Sequence, residues 1–165
     1  MKAGWAIIVA GTWGAMAAPA AAQDAAAMLI TPQEAAVSAA AFAAEPNGPP
    51  VVTKQFLAAG PDPLAPELEV LKPHTESPIV PPFDVAVMAH PQGSAAIKRD
   101  SLRIKYGFFK FDVTDRMMKL GRWDGNMFLI QHSDAPAGTH LFYVSLADTA
   151  GHVAATTVKV VVKKP

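Results

Sequence analysis

Residues 138–162 read GTHLFYVSLADTAGHVAATTVKVVV, and apolar side chains recur there at every second position. Successive side chains of a β-strand point to opposite faces, so Phe142, Val144 and Leu146 are expected to share one buried face. The strand after the turn repeats the alternation, with an inward set of Thr156, Val158, Val160 and Val162 and an outward set of Thr157 and Lys159. This stretch therefore predicts a hairpin of two half-buried strands.

The same period of two extends back to Glu67, with turn residues between the apolar runs. Four of the earlier strands have predicted inward residues: Leu68 and Val70; Phe83, Val85 and Val87; Leu102, Ile104 and Tyr106; and Phe109, Phe111 and Val113. A further strand is predicted over Met127 to Gln131. About seven short strands are typical of an immunoglobulin-like antiparallel β-sandwich. We therefore predict an all-β domain over residues 67–165.

One short segment inside this domain has a helical pattern. Residues 114–121 read TDRMMKLG and fit a single helical turn. Asp115 or Thr114 is expected to cap its start, and Gly121 is expected to end it in the left-handed conformation.

Three motifs carry a resemblance to a known family. Ala135–His140 contains a Pro-x-Gly turn that feeds an alternating strand, and Asp148–His152 contains an Asp-x-x-Gly turn before the last strand. Asp100–Gly107 followed by Asp112–Arg116 completes the pattern. Over residues 67–162 the chain resembles the bacterial immunoglobulin-like, or fibronectin-III-like, domain of exported proteins. The resemblance implies a fold and no activity.

Two positions within these motifs have specific expected roles. Gly151 permits a positive φ at the end of its turn, where Asp148 can hydrogen-bond the backbone. His140 stands where many such sandwiches carry a tyrosine that ties down a strand corner. The imidazole is a different group that can still make that bond.

The chain begins with the features of a secretory signal over residues 1–22. Lys2 precedes an apolar stretch from Ala3 to Ala18, and small residues stand before Gln23. The alternative is a retained membrane anchor. Cleavage would leave a periplasmic or secreted protein without a stable membrane span, because no second apolar segment is long enough.

Residues 23–66 form an Ala/Pro-rich leader that we expect to be mostly disordered. Within it, Thr31, Pro32 and Glu34 make a capping box that predicts a short helix over 32–44. Only Val37 and Phe42 are bulky and apolar there, which predicts a marginal helix. The leader is interpreted as a spacer, a docking peptide or a mobile tail, with a brief strand or helical turn over Val51–Leu57.

Composition excludes several classes of function. The 14 basic and 14 acidic residues balance, and no basic run exists, so nucleic acid is not an expected partner. Without cysteine there is no disulfide, zinc ribbon or thiol nucleophile. No nucleophile elbow, zinc-protease, phosphate-loop or dinucleotide motif is present either. We therefore predict a protein that is not an enzyme and needs no cofactor.

Asp112, Asp115 and Asp124 are the carboxylates that an enzyme or calcium site would use. They lie close together in the sequence but lack the spacing of a calcium loop. Turn and cap positions are the favoured interpretation. A small secreted hydrolase, which needs a deep pocket lined by two of these residues, is the weaker alternative.

A metal site is the other alternative. His132, His140 and His152 fall near predicted strand ends, and Met117, Met118 and Met127 supply thioethers. Imidazole and thioether ligands suit copper in an exported protein, and the set resembles that of periplasmic copper-binding sandwiches. Those proteins present a histidine at the mature N-terminus, where this chain has Gln23 or Asp24. Methionine as core filler is the competing interpretation.

The densest aromatic stretch suggests a contact surface. If Phe109 and Phe111 face inward, then Phe108 and Trp123 remain as an exposed patch. Packing in the core or at a sheet edge is the alternative role. Our main hypothesis is thus an exported, non-catalytic binding or structural module that engages another envelope protein or a polymer.

Overall fold

The computed structural model describes residues 27–45, 62–74 and 77–164. The predicted signal over 1–22 and the Val51–Leu57 segment lie outside these residues. Of the helices within the described ranges, none combines the length and the apolar character needed to cross a membrane.

Two β-sheets pack face to face, which confirms the predicted all-β sandwich. The described elements are β1 (Ala27–Met28), α1 (Pro32–Ala44), β2 (Glu67–Lys72), β3 (Phe83–His90), β4 (Ile97–Tyr106), β5 (Phe111–Asp112), α2 (Thr114–Leu120), β6 (Arg122–Asp124), β7 (Met127–Asp134), β8 (Gly138–Asp148) and β9 (Val153–Val162). One sheet has the order β1-β7-β3-β2 with β6 also paired to β7, and the other has the order β5-β4-β8-β9. All pairings are antiparallel except β1 with β7.

On β4, β8 and β9 the alternating pattern places the predicted apolar side chains between the sheets. β8 and β9 pair without a register shift from Gly138 opposite Val162 to Ala147 opposite Val153. Their inward apolar residues and those of β4 are buried: Leu102, Ile104, Tyr106, Phe142, Val144, Leu146, Val158, Val160 and Val162. The connecting turn is also as predicted, because Gly151 has φ 94° and Asp148 Oδ1 accepts hydrogen bonds from the Ala150 and His152 amides, each at 2.9 Å.

The short helix α2 is present, but its ends differ from the prediction. Its N-cap residue is Val113, which has no capping side chain, and Asp112 Oδ1 instead accepts from the Thr114 amide at 2.9 Å. Thr114 is buried and its hydroxyl oxygen accepts from the Ile104 amide at 2.9 Å. The prediction of Asp115 or Thr114 as the cap was wrong because Thr114 bonds to β4.

Gly121 ends α2, although not in the left-handed conformation. Its φ is −103° and its ψ is 171°, so the backbone is extended. A Cβ at this position would overlap Phe128 Cζ and would lie 2.7 Å from Phe128 Cε2. The glycine is required by close packing on the core, and the prediction of a left-handed cap was wrong.

Part of the leader belongs to the sandwich. Ala27 and Met28 pair with Ser133 and Asp134 of β7, and the next two residues, Leu29 and Ile30, are buried in the core. The sequence led us to expect a mostly disordered segment here, since this stretch lacks an alternating pattern. The strand partners that order it lie about a hundred residues away in the chain.

Helix α1 spans the residues of the predicted helix and has the predicted capping box. The Glu34 amide donates to Thr31 Oγ1 at 3.2 Å, and Glu34 Oε2 accepts from the Thr31 amide at 2.9 Å. The helix packs through small residues, since Ser38 is buried while Val37 is exposed. Because no stripe of bulky apolar residues marks the packed face of α1, the sequence did not predict which face of the helix contacts the sandwich.

A bidentate ion pair joins α1 to α2. Arg116 donates to both carboxylate oxygens of Glu34, at 2.7 and 2.8 Å, and also to the Leu29 carbonyl at 3.1 Å. The hydrogen bond from Arg116 lowers the pKa of Glu34 to about 2. Both side chains are partly exposed, so the pair orients the helix more than it stabilises the fold.

Candidate functional site

An exposed cluster of phenylalanines lies where α1 approaches the β4–β5 turn. Phe42 packs edge-on against Phe108 with ring centroids 5.4 Å apart, and Phe108 packs edge-on against Phe109 at 5.1 Å. Phe111 completes the row at 5.8 Å from Phe109. We call Phe42, Phe108, Phe109 and Phe111 the aromatic patch. Phe109 is 56% exposed and Phe111 is 39% exposed.

The exposure predicted from the sequence for these side chains differs from the observed exposure. Phe109 and Phe111 were predicted to face inward, and the structure contradicts this. Phe108, predicted as exposed, is half-buried against Phe42, and Trp123 is half-buried against Phe128 with centroids 5.4 Å apart. The reason is that β4 ends at Tyr106, and the turn over 107–110 breaks the alternation before β5 begins.

The turn that carries the patch holds a backbone conformation unusual for its residue. Lys110 has φ 52°, in the left-handed region where glycine or asparagine is normally preferred. Its Nζ lies 5.2 Å from the centre of the Tyr143 ring, which is a cation–π distance. Non-glycine residues held in this sparsely populated region cluster at functional sites, so the conformation of Lys110 marks this turn as a candidate.

A buried chain of hydrogen bonds underlies the patch. The Phe108 amide donates to Ser38 Oγ at 3.1 Å, and the Ser38 hydroxyl bonds the Tyr106 hydroxyl. The Tyr106 oxygen lies 2.8 Å from His140 Nδ1, and His140 Nε2 donates to the Pro136 carbonyl at 2.7 Å. The chain joins α1, β4 and β8, so it holds the helix and the β4–β5 turn in fixed positions.

The protonation of His140 follows from these partners. A carbonyl only accepts, so Nε2 carries the proton and Nδ1 accepts from the Tyr106 hydroxyl. Burial lowers the pKa of His140 and keeps the ring neutral. The Pro136 carbonyl lies four residues before the histidine, so the imidazole makes a corner bond of the kind expected from the tyrosine position.

The buried histidine predicts a pH dependence of stability. Because the pKa of His140 is lowered in the folded state, the unfolded chain takes up this proton first as the pH falls below its usual value of 6.5. The contribution of His140 to the free energy of unfolding is therefore complete above pH 6.5. At lower pH this contribution decreases, by up to about 1.4 kcal/mol per pH unit. Denaturant titrations between pH 7.5 and 5 should therefore show a loss that is reduced in His140→Gln.

His152 provides the matched control for this measurement. The hydrogen bond that His152 donates to the Asp148 carboxylate raises the pKa of His152, so the stabilisation from this pair is complete at low pH and is lost as the pH rises. His152→Gln should leave the acidic loss in place or steepen it. An equal loss in wild type and His140→Gln would contradict the assignment of the acidic loss to His140.

The candidate metal ligands do not form a cluster. No group of three or more metal-ligating His, Asp or Glu side chains occurs within the described ranges. Both ring nitrogens of His140 are engaged, and His152 Nδ1 bonds Asp148 at 3.0 Å. His132 is exposed on β7, Met117 is buried in the core and Met118 is exposed on α2.

The three aspartates occupy turns and element ends. Asp112 bonds the Thr114 amide, Asp115 is exposed in the first turn of α2, and Asp124 is exposed at the end of β6. The interior cavity, about 60 Å³, is lined by apolar core side chains together with Lys72 and His140, and no acidic residue is in its lining. A surface groove of about 340 Å³ near Pro81, Pro136 and Lys163 also lacks all three.

Comparisons with known proteins found one solved structure of low similarity. The sequence matches no protein-family model and no curated protein. Among solved structures, CopC from Methylosinus trichosporium OB3b is similar with a TM-score of 0.41 and 7% sequence identity, over 59% of this chain and 95% of CopC. A similarity of this size supports no inference about what this chain binds.

Proposed function

We propose that this chain is an exported, non-catalytic module that binds another protein through the aromatic patch. The observation that carries the proposal is the exposure of Phe109 and Phe111 beside half-buried Phe42 and Phe108. Covering apolar surface contributes roughly 25 cal/mol per Å², so exposed phenylalanines are a cost in the free protein and a gain in a complex. Export is part of the proposal and rests on the signal at residues 1–22.

The patch is held in place before any partner arrives. Phe42 is fixed on α1, and the Phe108 amide is bonded to buried Ser38. Rings that are already ordered lose little conformational freedom on binding, which favours affinity. This arrangement suits a recognition surface better than a mobile loop would.

The chemistry of the patch favours a protein over a polysaccharide. Phenylalanine has no polar group that could bond the hydroxyls of a sugar, whereas aromatic side chains are enriched in the buried centres of protein interfaces. Two exposed charged residues, Lys105 and Asp112, lie opposite each other on β4 and β5 and border the patch. A charged rim around an apolar centre is the usual layout of such an interface.

Affinity capture from envelope extracts tests this function. The purified exported chain is the bait, beside a double variant Phe109→Ser and Phe111→Ser. We expect the partner recovered by the wild type to fall about tenfold or more in the double variant, because two aromatic contacts are lost. Thermal unfolding should be nearly unchanged, since both side chains are exposed.

Leu64→Ser is the matched control, because Leu64 is 54% exposed but lies shortly before β2, outside the patch. This variant should recover the partner as the wild type does. The same proteins captured in equal amounts by the wild type and the double variant would contradict the proposal.

The two alternatives receive less support from the described residues. A copper-binding function would need His132, His140 and His152 to converge, and His140 has no free nitrogen. A hydrolase would need two of Asp112, Asp115 and Asp124 in one pocket, and neither cavity has them in its lining. Both remain predictions from the sequence.

A further inference from the structure

Strand β9 is the edge of its sheet over most of its length. On one side it pairs with β8 from Val153 to Val162. On the other side a single bridge forms at its end, where the Ile79 amide donates to the Val161 carbonyl and the Lys163 amide donates to the Ile79 carbonyl, each at 2.8 Å. Within the described ranges, residues 153–160 have no ladder partner on that side.

The bridge shows which backbone groups face the open side. The Val161 carbonyl and the Lys163 amide point towards Ile79. Alternate residues of a strand direct their N–H and C=O groups to the same side, so those of the other odd-numbered residues of β9 also point outward. The outward row is Val153, Ala155, Thr157 and Lys159. An unpaired row of this kind is a template for another strand.

The other sheet edges carry more of the features that discourage such pairing than β9 does. β2 contains Glu67, Glu69 and Lys72. β4 contains a charged run from Lys98 to Asp100 and a register shift on its ladder with β8. β9 has Lys159 as its one charged residue among ten, with valine, alanine and threonine elsewhere, and its ladder with β8 has no register shift. Charges and bulges are how sheet edges avoid docking, so the single charge and the regular ladder of β9 mark it as the edge best suited to docking.

We propose that β9 pairs with β9 of a second copy of this chain, in antiparallel order. The free edge is bounded by the turn at Gly151 and by Ile79 at Val161, so its midpoint is Thr156. A two-fold axis there sets Val153 against Lys159 of the second copy and Ala155 against Thr157 of the second copy. About eight backbone hydrogen bonds would form, and the two four-stranded sheets would become one.

The charges on β9 permit this self-pairing. In the proposed register the two Lys159 side chains stand at opposite ends of the paired segment, about 20 Å apart along the strands. This distance exceeds the Debye length of about 8 Å at physiological salt, so they do not repel appreciably. Each Lys159 stem would instead lie beside exposed Val153 of the other copy, which covers an apolar side chain.

Sedimentation velocity on the purified exported chain, from about 5 to about 500 µM, tests the dimer. An edge pairing of this length is small for an interface, so we expect a dissociation constant on the order of 10 µM to 100 µM. Thr157→Pro should leave the chain monomeric, because it removes an outward N–H without breaking a bond to β8. Thr157→Lys should weaken the dimer about tenfold, because it places two like charges within about 8 Å.

Thr139→Lys is the matched control, since it adds the same charge to the exposed face of β8, away from the edge. It should dimerise as the wild type does. Amide exchange gives a second measurement, in which the Ala155, Thr157 and Lys159 amides gain protection as the concentration rises. A wild type that stays monomeric over the whole range would overturn the proposal. A dimer that both Thr157 variants preserve would overturn the proposal as well. In that case the double variant Phe109→Ser and Phe111→Ser would show whether the aromatic patch forms the dimer.

Discussion

Replacing Ile30 by alanine is expected to lower the free energy of unfolding by about 2–5 kcal/mol, because the change leaves a cavity in a packed core. Ile30 is 0% exposed and belongs to the core cluster, although it lies in the leader. Chemical denaturation monitored by tryptophan fluorescence measures the change, since Trp123 packs against the same core.

Met28→Ala is the matched control from the same segment. Met28 is 48% exposed and pairs through its backbone, so its truncation should change stability by no more than about 0.5 kcal/mol. If Ile30→Ala were as harmless as Met28→Ala, the segment over 27–45 would not be part of the folded core in solution.

Gly121→Ala is expected to cost about 3 kcal/mol, for a reason opposite to cavity formation. The added Cβ would overlap Phe128 Cζ and would lie 2.7 Å from Phe128 Cε2. The aromatic ring is itself buried, so relief requires movement of the core. Gly121→Asn should be worse, since its side chain is larger. Thermal or denaturant unfolding measures both variants.

The asparagine variant separates two explanations of this glycine. A left-handed cap tolerates asparagine, whereas close contact with Phe128 does not. Gly125 supplies the comparison, because it has φ 56° and nothing lies within 4 Å of its built Cβ. Gly125→Asn should change stability by no more than about 0.5 kcal/mol. Equal effects of asparagine at Gly121 and Gly125 would refute the packing explanation.

Two polar groups that hold α1 to the sandwich also show why the contacts of this helix were not predicted. Ser38 and Glu34 are ordinary helix residues in the sequence, and nothing local marks them as contacts. Their partners are the Phe108 amide and the Arg116 side chain, 70 and 82 positions away. A helix that packs through small and polar residues leaves no hydrophobic stripe for a sequence to display.

The aromatic stretch was predicted from the sequence as a contact surface, and the structure corrects which of its side chains are exposed. The run from Phe108 to Phe111 is the aromatic surface, yet Phe109 and Phe111 are the exposed members. Alternation predicts a side chain's face only while the strand continues, and here it stops at Tyr106. The partner of Phe108 is Phe42 on α1, which no local pattern connects to the turn.

By itself the sequence determined the two-layer architecture, the buried faces of β4, β8 and β9, the turn at Asp148 and the capping box of α1. Each of these depends on neighbours within a few residues or on the period of two, which are written locally in the chain. Only the tertiary structure decided that residues 27–45 join the core, that Gly121 is required by Phe128 and that Phe109 and Phe111 face solvent. Those outcomes depend on contacts between distant segments and on where a strand ends, and the free energy that selects them arises only when the sheets have packed.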